Sequence, residues 1–167
     1  MAPLAGSLRR LAAASYDGFL LLAALMLVTA LLQSFTHGQA ITRQSVGAFE
    51  YAYRGALALC VLGYFGSAWT RRGQTLGMKA WAIRVETESG ALPRLADVAR
   101  RLACAAPLYL LFVTGVLLLI VRRGGWWVVL GCAAPLAASY AWHLITRRGT
   151  LHDRWSRTRV VRVGAGR

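Results

Sequence analysis

One apolar run limits what this chain can fold into. Residues 11–32, LAAASYDGFLLLAALMLVTALL, are 22 consecutive positions broken only by Ser15, Tyr16, Asp17, Gly18 and Thr29. As a helix rising 1.5 Å per residue, the run is long enough to cross the ~30 Å hydrocarbon core of a bilayer. It is too long for a cleaved leader, and Asp17 interrupts it, so it predicts a retained membrane helix. Arg9 and Arg10 precede it. Arg10 and Asp17 are seven residues apart, two helical turns, and project from nearly the same face. A charge inside a membrane helix costs about 3 kcal/mol on insertion scales, so Asp17 needs company. Arg10 is the favoured partner, with Arg54 as the alternative and Arg9 and Arg101 as further cations within the pattern.

Three more apolar runs follow, at 52–69, 102–121 and 126–145. The second is short and carries Arg54 near its start. The third and fourth each span 20 residues and are joined by Arg122, Arg123, Gly124 and Gly125. Small residues recur every fourth position at Ala52, Ala56 and Cys60, and again at Ala133, Ala137 and Ala141, a spacing that lets helices approach closely. The expectation is an all-α membrane protein, a bundle of four transmembrane helices in a single domain over 1–167.

Charge then sets an orientation. The net charge is +14, but the arginines gather at the ends of apolar runs, where topology and lipid phosphates explain them better than nucleic acid does. With four crossings, the N-terminus, the 71–101 loop and the 146–167 tail share one side. They hold 2, 7 and 7 Lys or Arg, against Arg43, Arg54, Arg122 and Arg123 opposite. The positive-inside rule makes both termini cytoplasmic. The expected partner is a bilayer with anionic head groups. Four short helices enclose little volume, so a transport role would favour a homo-oligomer.

The 71–101 loop is patterned too regularly to be a linker. WAIRVE (81–86) reads as a strand and Ser89-Gly90 as its turn. LPRLADVARRL (92–102) reads as an amphipathic interfacial helix leading into the third span. In the tail, TRVVRV (158–163) reads as a second strand able to pair with the first.

Chemistry-bearing motifs are few. Cys60, Cys104 and Cys132 and the histidines His37, His143 and His152 lack metal-ligand spacing, so no metal or cofactor is expected. GQTLGMK (73–79) lacks the spacing and the terminal hydroxyl of a phosphate-binding loop. No nucleophile–base set appears, so an enzyme is not expected. Two places stand out. LHDRW (151–155) sets His152 and Asp153 just beyond the fourth run, either as a chemical pair or as a helix cap salt-bridged to Arg147 or Arg148. Asp17 is either an ion site or one half of a pair that locks helix packing.

The chain resembles the RDD family of small bacterial membrane proteins. RRLAAASYD places Arg10 and Asp17 at that family's separation. GQTLGMKAWAIRVET and ALPRLADVARRL resemble its segments around the central loop. LHDRWSRTRVV resembles its His-Asp-x-x-x-x-Thr-x-Val ending, with Asp153 as the second aspartate. The resemblance implies a multi-pass protein of the bacterial cytoplasmic membrane, with transport, including cation/proton antiport, proposed for some members. Arg10, Asp17 and Asp153 are then expected in one cluster at the cytoplasmic side. The first expectation is a transporter or transport subunit for small ions built on Asp17, which requires a water-reachable carboxylate and a vestibule. The alternative, a non-transporting scaffold or assembly factor acting through its basic cytoplasmic face, requires a dry ion pair at Asp17 and a flat cytoplasmic surface.

Overall fold

The computed structural model describes residues 3–38, 40–146 and 149–164. Four long helices dominate: α1 (Ser7–Ser34), α3 (Phe49–Arg72), α5 (Leu95–Ile120) and α6 (Trp126–Thr146). Between them lie the short helices α2 (Arg43–Val46), α4 (Leu76–Ala80) and α7 (Leu151–Trp155), with strands β1 (Ile83–Thr87) and β2 (Thr158–Arg162). Among the described residues three helices, α1, α5 and α6, are long and apolar enough to cross a membrane. Three of the four expected spans meet this criterion. The exception is α3, whose 24 residues include Glu50, Arg54, Arg71 and Arg72 as well as Gly55, Gly63 and Ser67, which dilute its hydropathy.

The long helices outrun the predicted apolar cores because their ends are built from polar residues. Gly73 stops α3 in the left-handed conformation at φ 68°, with its N–H bonded to the Trp69 carbonyl at 3.0 Å. A side chain there would meet the Val85 carbonyl oxygen at 2.8 Å, so both backbone angle and space call for glycine. Asp97 starts α5 by accepting the Arg94 N–H at 3.0 Å. The segment expected as a separate interfacial helix is thereby the first turns of α5 itself. Its Val98 and Arg101 are buried, which favours one continuous helix over a break at the interface.

The expected strand pair forms. β1 and β2 run antiparallel, with Ile83 opposite Arg162, Val85 opposite Val160 and Thr87 opposite Thr158. Ile83 and Val85 point inward with Val160, as the alternation requires. Residues 3–5 flank the other edge of β2: Leu4 bridges Val161, and the Ala5 N–H reaches the Val160 carbonyl at 2.9 Å.

The core gathers around this sheet. Ala5, Ala13, Trp69, Ile83, Val85, Val98 and Val160 form it, with Phe65, Met78 and Leu102 packed alongside. These residues come from the start of α1, the end of α3 and the start of α5, and the end of α6 joins them through His143, which bonds the Ala5 carbonyl at 3.1 Å. Successive long helices therefore alternate in direction and share one capped end. Away from the cap, Phe19, Met26 and Leu31 of α1, Leu110 and Ile120 of α5, and Trp127 and Leu130 of α6 are exposed, as on helices meant for lipid.

Close packing is seated at Gly115 rather than on the Ala133–Ala137–Ala141 stripe, of which Ala137 and Ala141 are exposed. A Cβ on Gly115 would lie 2.7 Å from Cys132 Cβ. Gly115→Val should therefore lower the thermal stability of the detergent-solubilised protein by about 1–3 kcal/mol. Cys132→Gly in the same chain should recover part of the loss, whereas strict additivity of the two would argue against this contact.

Candidate functional site

Two buried polar centres hold the cap to the helices, and each is built around one aspartate. The first belongs to α7. Thr150 starts this short helix, and its N–H bonds Asp153 Oδ2 at 3.3 Å. Asp153, 1% exposed, then receives two guanidinium groups: Arg10 of α1 donates to Oδ2, and Arg101 of α5 donates to Oδ1 at 2.6 Å. Both guanidiniums donate further. Arg10 donates from Nε to the Ala5 carbonyl at 2.9 Å and from Nη2 to the Val160 carbonyl at 3.2 Å. Arg101 also donates to Thr158 Oγ1 at 2.6 Å, and its guanidinium lies 5.4 Å from the centre of the Trp69 ring. Additional hydrogen bonds of this kind are what a buried ion cluster needs to offset its desolvation.

His152 sits beside this cluster, with Nε2 3.0 Å from Thr150 Oγ1 and Nδ1 3.4 Å from Ser139 Oγ. Towards the helices its neighbours are Tyr109 and Tyr140, whose hydroxyls are 2.9 Å apart.

The second centre is Asp17. It is 3% exposed and accepts three hydrogen bonds: from the Tyr64 hydroxyl at 2.6 Å, from Thr75 Oγ1, and from the Gly77 N–H at 2.8 Å. Thr75 simultaneously caps α4 by accepting from the Met78 N–H at 3.2 Å. At Gly77 a Cβ would fall 2.4 Å from the Ala13 carbonyl oxygen and 2.9 Å from Asp17 Oδ1, so only glycine lets α4 lie against α1.

The expected ion pair between Arg10 and Asp17 is thus replaced. The seven-residue spacing does put both on one buried face of α1, with Ala13 between them, but they meet different elements. Arg54 pairs with Glu50 at 2.5 Å in an i,i+4 contact, and Arg9 donates to the Trp81 carbonyl at 3.2 Å. Arg101, proposed as a cation for Asp17, binds Asp153. Arg10 and Asp153 come together as a pair, and Asp17 stands apart from them with neutral donors. Arg147 and Arg148, the alternative partners for LHDRW, lie outside the described residues. Tyr64, Thr75 and Gly77 do not stand out in the sequence as partners of Asp17. The one signal is in GQTLGMK, a Thr-x-Gly that no phosphate-loop spacing explains.

The sequence model of the RDD family matches residues 4–157, from the strand-like N-terminal segment to the residue before β2. The chain belongs to the RDD family. No curated protein and no solved structure matches it. In this RDD protein the arginine and both aspartates that carried the resemblance are buried where helices join the cap.

The electrostatics of the α7 centre follow from its geometry. Burial pushes the Asp153 carboxyl up, but the Arg101 and Arg10 guanidiniums outweigh it and hold the group well below the usual carboxylate range. Burial lowers His152, and the Arg101 charge adds to that against the pull of Asp153, bringing it from 6.5 down to about 4. Both groups bind more protons when unfolded, so folding stability declines as the pH is lowered. His152 contributes fully above pH 6.5 and loses its contribution between about 6.5 and 4; Asp153 follows at lower pH. The His152 limb is on the order of 3 kcal/mol. Melting temperatures of the solubilised protein should fall across that window, and His152→Gln should flatten the decline. An unchanged profile in the variant would assign the limb elsewhere.

Asp153→Asn leaves two buried guanidiniums without a counter-ion. A loss of about 3–5 kcal/mol is expected, read as reduced abundance in membranes and early unfolding.

Proposed function

We infer that this RDD protein is a non-transporting membrane scaffold, a set of four spanning helices that carries a rigid basic cap at one face of the bacterial cytoplasmic membrane. The observation that carries this reading is the engagement of both family aspartates. Asp153 is held by Arg10 and Arg101, and Asp17 by Tyr64, Thr75 and Gly77. Each is nearly inaccessible and each fastens a cap segment to a helix end. Asp17 also lies close to the cap rather than deep in the bilayer. Beyond it α1 continues for residues 18–34, a length of about 25 Å, which nearly spans a hydrocarbon core without the carboxylate.

The alternating helix directions support α3 as the fourth span. If α1 and α5 leave the cap in the same direction, the chain must return between them, and α3, about 36 Å long, is the element available. The excess of Lys and Arg on the cap segments supports a cytoplasmic cap and cytoplasmic termini. The basic face would then serve anionic partners, with water-exposed arginines such as Arg94, Arg154 and Arg157.

A second reading, cation or proton exchange at Asp17, has one observation in its favour. A groove open to the outside is lined by Tyr64 and Thr75, the same side chains that hold the carboxylate. Reconstitution separates the two readings. As a scaffold, the wild type in liposomes should carry no cation or proton flux above empty vesicles. Asp17→Asn and Gly77→Ala should lower thermal stability in parallel, because each breaks the same tether. Flux in the wild type that a folded Asp17→Asn protein lacks would overturn the scaffold in favour of exchange.

A further inference from the structure

The groove beside Tyr64 has a composition that neither reading uses. Its volume is about 360 Å³, and Arg71, Arg72 and Lys79 line it between the end of α3 and α4. All three are exposed, and none has an acidic partner among the described residues. The chain has six acids, and five are engaged elsewhere: Asp17 by its three donors, Glu50 by Arg54, Glu86 by Arg84, Asp97 by Arg100, and Asp153 by Arg10 and Arg101. The polar wall is likewise turned inward. Tyr64 and Thr75 donate to Asp17, and the Gln74 amide donates to the Ile83 carbonyl at 2.8 Å. What faces the open volume is three cations, and the one carboxylate behind the wall, Asp17, is buried and turned away from it, so the groove keeps an excess of positive charge.

The surroundings say which anion belongs there. Arg71 and Arg72 close a long helix that runs away from the cap among the membrane-length helices. At the groove's edge Leu76 is 59% exposed, and Trp81 lies just beyond Lys79, also exposed. Cations interleaved with exposed apolar and indole side chains at the end of a helix match the head-group layer, where a free soluble anion would need no apolar rim. The geometry points to a binding site for the phosphate of an anionic phospholipid, held by Arg71, Arg72 and Lys79 with its chains against Leu76. The site needs α3 to end at the bilayer surface, as placed above, but not the scaffold reading.

Native mass spectrometry of the full chain in detergent tests this without reference to orientation. The wild type should retain phosphatidylglycerol over phosphatidylcholine by about tenfold or more. Arg71→Gln/Arg72→Gln/Lys79→Gln should abolish the preference, whereas Arg154→Gln/Arg157→Gln/Arg162→Gln, which removes equal charge from exposed cap positions, should keep it. Should the triple variant not fold, Lys79→Glu takes its place and should likewise abolish the preference. Inorganic phosphate in large excess should not displace the lipid. Retention in the groove variant, equal loss in the control variant, or displacement by phosphate would each overturn the proposal.

Discussion

A carboxylate shared by two arginines organises this molecule. Asp153 draws Arg10 from α1 and Arg101 from α5 to a single point, and the guanidiniums also donate to the Ala5 and Val160 carbonyls and to Thr158. Arginine suits this task because its fork reaches several acceptors at once and cannot lose its charge. Burial first, and then the net positive charge that the cluster keeps, hold His152 neutral, and it bonds to hydroxyls instead. Much of the rest of the cap core is neutral packing around that point, with Glu86 paired to Arg84 at its edge. The sheet supplies Val85 and Val160, α3 supplies Trp69 as a face for Arg101, and Thr150 and Asp153 cap α7.

The second aspartate repeats the logic with a different chemistry. Asp17 is satisfied by two hydroxyls and a backbone amide, so it fixes position through geometry rather than charge. Tyr64, Thr75 and Gly77 come from α3, α4 and the turn between them, all of which must be in place. Asp17 is therefore a point where α1, α3 and α4 are registered against one another. The two aspartates serve a common architecture through separate bonds. Both lie at the joint between apolar helices and a polar cap.

Much of this is legible from residue order. Length and hydropathy mark α1, α5 and α6, because a bilayer demands long apolar helices and leaves a plain signature. Alternation marks β1 and β2. The Arg10–Asp17 spacing places both on one face, yet periodicity reports a face and not the neighbour that covers it. The partners come from residues up to 150 positions away, and nothing local distinguishes Arg101 from Arg100, although the first is buried and the second is paired with Asp97 at the surface. Gly77 is hidden for a related reason. Its requirement comes from the Ala13 carbonyl across the interface, not from any turn in its own segment. The difficulty with α3 is of another kind: its polar ends belong to the cap and the opposite loop, and averaging them into the helix conceals its apolar middle.

The bonding between residues 3–5 and β2 has a consequence for how the chain is made. Ala5 and Arg10 precede all the long helices but α1 itself, and their partners Asp153 and Val160 follow every one of them. The first helix enters the membrane with its arginine uncompensated and waits through the synthesis of every other span. Contacts so distant in the chain close late. The nascent protein therefore passes through a stage in which its long helices exist and Asp17 already registers α1 with α3 and α4, while the Arg10–Asp153–Arg101 joint is still missing; the segment from α7 through β2 acts as its clasp.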